Sequence, residues 1–269
     1  MRIYNNVNAI NTQNTLLITN RDMSKSLEKL STGLRINRAS DDAAGLSVSE
    51  GLRTQIRGSD MARRNANDGL AMLQIAEAGT QQITDSLQRM RELAIQSANG
   101  TYANTERSYI DQEYQALASE IGRIALAVTY NGIPLLATTS LFSFQISAAA
   151  SGTSSTISFQ PIDLSTGLSF GAVSLQTIAQ QSISTIDALL NSVLSLRALV
   201  GATMNRLEAT VTNLGAMITN YSDAESRVRD TDFAMETTRF TRSQILTQSA
   251  NSMLSQANQL PNNVLSLLQ

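Results

Sequence analysis

Apolar residues recur every seven positions near the end of the chain: Ile186, Val193, Val200, Leu207, Leu214, Tyr221 and Val228. Leu190, Met204, Val211 and Ile218 fall between them, which gives a 3,4 spacing. This spacing predicts one long helix over about 174–228 that buries a narrow seam against other helices. At 1.5 Å per residue, a helix of that span is on the order of 80 Å long. Arg197 occupies one seam position, where a polar group fixes register at a cost in stability. Gly201 and Gly215 are expected to weaken the helix locally.

The same reading extends upstream. Ile3, Val7, Ile10, Leu17, Leu27, Leu30 and Leu34 predict a helix over about 3–33, with Gly33 as its C-cap. The polar joint RINRASDDAAGL follows, in which Ser40 or Asp41 is suited to cap the next helix. That helix covers about 42–98, with Ala66, Leu73, Thr80, Leu87 and Ala94 seven apart and Ala76, Ile83 and Met90 between them. Ile110, Tyr114, Leu117, Ile121, Ile124 and Val128 mark a third, and Asn131-Gly132 with Pro134 a turn. Phe142, Phe144 and Ile146, then Ile157 and Phe159, alternate with polar residues around Ser151 to Ser154 and predict a small β-hairpin within about 138–172. After a second charged joint, AESRVRDTDF, the last helix carries Leu246, Met253, Leu260 and Leu267 seven apart, with Ala250, Ala257 and Val264 between. Pro261 inside it predicts a kink or break. The fold class is therefore mainly α: an elongated antiparallel helical bundle or coiled coil with a small β-hairpin and paired terminal helices.

Composition narrows the chemistry. The 269 residues are 42% hydrophobic but only 4% aromatic, without tryptophan, which suits thin helix-on-helix packing. The absence of cysteine and histidine removes disulfides, Cys-His and Ser-His catalysis and the commonest metal ligands. No cofactor, metal site or catalytic residue is expected. A net charge of −2 creates no field for nucleic acid. The start MRIYNNVNAINTQ lacks the pattern of a cleavable secretory signal, and no run of eighteen apolar residues predicts a membrane span.

Two constellations remain. The terminal stripes read either as an intramolecular helical hairpin or as segments that order when copies of the chain assemble; assembly is favoured, because neither end has a large core nearby. The carboxylates Asp41, Asp42, Asp223, Glu225, Asp230 and Asp232 read as helix caps and as ion-pair partners of Arg35, Arg38, Arg227 and Arg229, rather than as a cation site. If the two joints meet, Arg38 with Asp232 is a candidate pair for setting register.

Long motifs point to a family. KLSTGLRINRASDDAAGL (Lys29 to Leu46), NANDGL (Asn65 to Leu70), LQRMRELAIQSANGT (Leu87 to Thr101), NRLEATVTNL (Asn205 to Leu214) and QILTQSANSMLSQANQLPNNVLSLLQ (Gln244 to Gln269) resemble bacterial flagellin. The resemblance spans residues 1 to about 136 and about 182 to the end. It implies a structural subunit of the flagellar filament that serves cell motility, with a hook-filament junction protein as the alternative. It implies an inner coiled-coil domain from residues 1–40 plus 229–269 and a rod-like domain from 41–228. Only about 138–175 remains where most flagellins carry a large outer region, so this resembles a minimal form. The assembly seams are then Ile3, Val7, Ile10, Leu246, Met253, Leu260 and Leu267. Implied partners are identical or related flagellin subunits, an export chaperone, the filament cap and hook-junction proteins. Flagellar type III export would place the chain outside the cell, or in the periplasm where flagella are internal. Gln88, Arg89, Leu93, Gln96 and Glu113 match the surface through which a vertebrate innate immune receptor recognises flagellins. The small residues Ala66, Ala76, Ala94, Gly201 and Gly215 are places where helices have room to slide.

Overall fold

The fold is taken from a computed structural model, which describes residues 6–148, 155–164 and 171–266. Five helices and two strand pairs follow in chain order: α1 (Val7–Thr32), α2 (Ala43–Ala98), α3 (Asn104–Ala127), β1 (Thr129–Tyr130), β2 (Ile133–Pro134), β3 (Phe142–Gln145), β4 (Thr156–Phe159), α4 (Gln176–Arg229) and α5 (Phe233–Ser266). The mainly helical class, the antiparallel terminal pair and the small hairpin are as read from the pattern. The chain divides into two units, residues 1–54 with 220–269 and residues 55–219. The first turns of α2 and the last of α4 thus go with the terminal helices, inside the boundaries read from the motifs.

The unit of residues 55–219 holds the apolar core. Leu73, Ile83, Leu87 and Met90 of α2, Tyr114 and Ile121 of α3, and Ile186, Val193, Val200 and Leu207 of α4 are all buried there. The heptad seam of α4 is therefore the core-facing stripe. By length and composition α4 is also apolar enough to cross a membrane, although no eighteen apolar residues run together in it; Ile186, Val193, Val200 and Leu207 of its seam are buried in this core. Arg91 of α2 pairs with Asp187 of α4 at 2.7 Å, and Arg89 with Glu113 of α3 at 2.9 Å.

The strand pairs pack on this core. Asn131 and Gly132 both have positive φ, 49° and 78°, so they form the two-residue loop that lets β1 turn back into β2. β3 and β4 are antiparallel in the register Phe142 to Phe159 and Phe144 to Ile157, with the two phenyl rings stacked at 6.3 Å. The predicted turn at Ser151 to Ser154 lies outside the described residues. Gly69 of α2 makes room for the Phe144 ring, and Gly79 for Val128 and Leu136. A Cβ at Gly201 or Gly215 would meet nothing within 4 Å, so these two glycines mark no close approach of helices within the chain.

Helix ends differ from expectation at several points. The cap of α2 is Asp42, which accepts from Gly45 N at 2.9 Å, while Asp41 accepts from the Asn37 and Arg38 amides within the joint. The charged stretch up to Arg229 belongs to α4, and only residues 230–232 separate it from α5. α5 begins at Phe233, about ten residues before the apolar stripe, because Asp232 accepts from the Ala234 and Met235 amides and starts the helix there. The helix then continues through Pro261 to Ser266, so the expected break does not occur.

Candidate assembly interface

α1 and α5 run antiparallel in the terminal unit, and the two joints meet beside them. Arg35 N donates to Arg229 O at 2.6 Å and Thr231 N to Gly33 O at 3.0 Å, around a bridge between Leu34 and Asp230. Gly33 makes this possible by ending α1 in the left-handed conformation, φ 72°. The arginines do not seek the joint's own carboxylates. Arg38 pairs with Glu28 at 3.0 Å and Arg229 with Glu50 at 2.9 Å, while Arg35 donates to Val228 O. Arg38 and Asp232 are thus not partners: Asp232 is committed as a cap, and backbone pairing sets the joint's register. Backbone donation from Arg38 and Asn37, helped by Lys29 and Lys25, holds the Asp41 carboxyl below the usual carboxylate range, although burial opposes this.

Between the helices the seam mixes polar and apolar residues. On α1 the inward positions are Thr12, Leu16, Thr19, Met23, Ser26 and Leu30; on α5 they are Glu236, Phe240, Ser243, Thr247, Ala250, Leu254 and Ala257. Both series alternate by fours and threes, as packed helices require. Yet the most deeply buried members are Thr19, Ser26, Glu236, Ser243 and Ala257. Ser26 Oγ donates to Glu236 Oε1 at 2.6 Å, Thr247 reaches Asn20 at 3.4 Å, and Asn6 Nδ2 donates to Ala257 O at 2.8 Å. Lys25, Lys29, Arg239 and Arg242 line a cavity of about 250 Å³ at the buried Glu236, where Arg239 lies 3.5 Å from its carboxylate.

A second set of apolar residues points the other way. Val7, Ile10, Leu17, Ile18 and Leu27 of α1, and Phe233, Met235, Ile245, Leu246 and Met253 of α5, are each at least 50% exposed. Of the sequence-predicted seam residues, Val7, Ile10, Leu246 and Met253 therefore lie outside the α1–α5 contact. Ile3 and Leu267 fall outside the described residues, as does the side chain of Leu260. Ile245 and Leu246 border a surface groove of about 500 Å³ together with Thr237, Thr238, Thr241 and Arg242. Hydrophobic periodicity caught only part of the inward seam, Leu30, Ala250 and Ala257, because Thr, Ser and Glu occupy most of its deepest positions.

In the other unit, Gln88, Arg89, Gln96 and Glu113 are exposed, whereas Leu93 is 2% exposed and belongs to the core. Sequence spacing alone did not separate Leu93 from its exposed neighbours. Arg89 is held between Glu113 and Glu92, whose hydrogen bonds raise its pKa further. Among the described residues no group of three or more acidic side chains is placed to hold a metal ion.

Comparison with known proteins assigns this architecture. The bacterial flagellin N-terminal helical region matches residues 3–140, and the bacterial flagellin C-terminal helical region matches residues 183–268. A flagellin of Halalkalibacterium halodurans is 43% identical over the full length of both chains. The flagellar filament 33 kDa core protein of Treponema phagedenis is 41% identical and a flagellin of Bacillus subtilis 39%, again over both full lengths. The crystal structure of Bacillus cereus flagellin superposes with a TM-score of 0.51 at 30% identity, covering 56% of this chain and 88% of that one. With both helical regions matched and full-length relatives well above 30% identity, the chain belongs to the bacterial flagellins.

Proposed function

We propose that the chain is a structural subunit that self-assembles, with identical or related subunits, into a flagellar filament and so serves motility. The observation that carries this reading is the exposed apolar stripe on both terminal helices, each facing away from a seam closed by polar contacts. Large apolar side chains left in water on two paired helices are stabilised only when neighbouring copies cover them, at about 25 cal/mol per Å². Contacts between unlike patches repeat without closing and give an open helix of subunits. The unit of residues 1–54 and 220–269 serves as the inner, channel-lining layer, and the unit of residues 55–219 as the rod.

The finer parts of the reading follow from family membership. Export proceeds through the flagellar type III pathway, with the C-terminal helix held by a chaperone, and the subunit is delivered beneath a cap and beyond hook-junction proteins. The terminal pair, held by few buried apolar groups, is the part that orders on assembly. Of the surface associated with the innate receptor, Gln88, Arg89, Gln96 and Glu113 are available to a partner; Leu93 supports them from the core. The test is negative-stain microscopy of purified chain after induced polymerisation. Long helical filaments are expected. A chain that stays monomeric at high concentration overturns the reading.

A further inference from the structure

We infer that Asn6 and Pro261 are a matched pair that fixes the register of the terminal helices for polymerisation; this rests on the filament reading above. A helical carbonyl normally accepts from the amide four residues on. For Ala257 that residue is Pro261, which has no N–H, yet α5 continues past it to Ser266. The proline thus opens one acceptor in the interior of α5. Ala257 is buried, 8% exposed, so water is a poor substitute donor. Asn6 supplies the donor: its Nδ2 reaches Ala257 O at 2.8 Å.

The other end of the same amide is also engaged. Asn6 Oδ1 accepts from Ala9 N at 3.1 Å and caps α1. One side chain therefore starts one terminal helix and fills the gap in the other. Sliding α1 by a turn along α5 would set Asn6 against a carbonyl that already receives its helical N–H, and would leave Ala257 O without a donor. Only one register satisfies both groups. This matters because the rest of the seam is short of large buried apolar side chains that would fix register by shape.

The test is a double-mutant cycle on the full chain, read as the critical concentration for polymerisation by sedimentation. Asn6→Asp, which keeps the cap acceptor but has no donor, is expected to raise it about fivefold, the loss of one net hydrogen bond. In the Pro261→Ala background, where Ala257 O regains its helical donor, the same substitution is expected to raise it less than about twofold. Asn6→Ala loses the cap acceptor as well, so it should cost more than Asn6→Asp in both backgrounds. Equal cost of Asn6→Asp in both backgrounds, or an Asn6→Asp chain that polymerises like the native one, overturns the proposal. Thermal melting of helical circular dichroism in the monomers gives a second reading of the same cycle. A native chain that never polymerises counts against the filament reading, while the melting cycle still decides the pairing.

Discussion

Ser26 and Glu236 illustrate how the terminal pair separates holding together from assembling. Both are buried, and the serine hydroxyl is the close partner of the carboxylate. Ser26→Ala is expected to destabilise the pair by about 1–3 kcal/mol, the penalty for a buried charge that loses a donor, measurable by thermal unfolding of the monomer. Leu246 and Met253 carry the opposite expectation. They are 50% and 61% exposed, so replacing both by Gln should leave monomer melting nearly unchanged. The same double substitution should strongly impair polymerisation, since each side chain forfeits about 1.5–3 kcal/mol if it is fully buried between subunits. Loss of monomer stability without loss of assembly would reverse the roles assigned to the two stripes. Titration obeys the same local logic. The depressed Asp41 pKa contributes stability that is present above the ordinary aspartate value of about 3.9 and is lost as pH falls through the lower, folded value. The Tyr114 pKa is raised, chiefly by burial and further by Asp111, against a hydrogen bond to Ser182. That contribution is complete below the ordinary tyrosine value of about 10 and is lost as pH rises beyond it. With no histidine, filament stability should be flat between pH 6 and 8 by light scattering, and a sharp transition there would contradict this account.

Helices of this chain were legible wherever their buried positions are apolar. The α4 seam could be read from spacing because Ile186, Val193, Val200 and Leu207 are both apolar and buried. The inward stripes of α1 and α5 were legible only at Leu30, Ala250 and Ala257, because Thr19, Ser26, Glu236 and Ser243 carry no hydrophobic signal. Apolar periodicity there also picks out Val7, Ile10, Leu17, Leu246 and Met253 on the outward face, the face proposed for assembly. The first ten residues of α5 were hidden because its cap, Asp232, sits in a stretch that reads as a charged joint, and the start of α3 because Glu106 accepts from the Ala103 amide ahead of its first large apolar residue. Glycines in long helices give an element-scale test, because their spacing does not reveal their purpose but their surroundings do. A Cβ at Gly79 would lie 2.7 Å from Val128 Cγ2, whereas at Gly201 it would meet nothing. Gly79→Ala is therefore expected to destabilise the chain by about 1–3 kcal/mol through overpacking. Gly201→Ala should stabilise it by about 0.4–1 kcal/mol by restricting the unfolded chain. Both are checked by thermal denaturation of the monomer, and equal effects would mean that helix propensity alone governs these positions.

The division of labour between the two units makes the whole-molecule expectation specific. The contiguous apolar core draws all its members from residues 66–207, so it does not depend on α5. Deleting residues 244–269 removes Leu246, Met253 and the Ala257 acceptor of Asn6, together with Thr247, the partner of Asn20. It leaves the Ser26–Glu236 contact and the paired joints in place. The truncated chain is therefore expected to remain a folded helical monomer whose main melting transition is close to that of the full chain. It should form no filaments under conditions that polymerise the intact protein. Circular dichroism and electron microscopy on the same sample read the two properties separately. Normal filaments from the truncated chain would mean that the outward stripe of α5 is not the assembly surface. A collapse of the main melting transition would mean that the core is not independent of the terminal helices. Only a folded chain that fails to polymerise fits a molecule in which one unit supplies stability and the other waits for its neighbours.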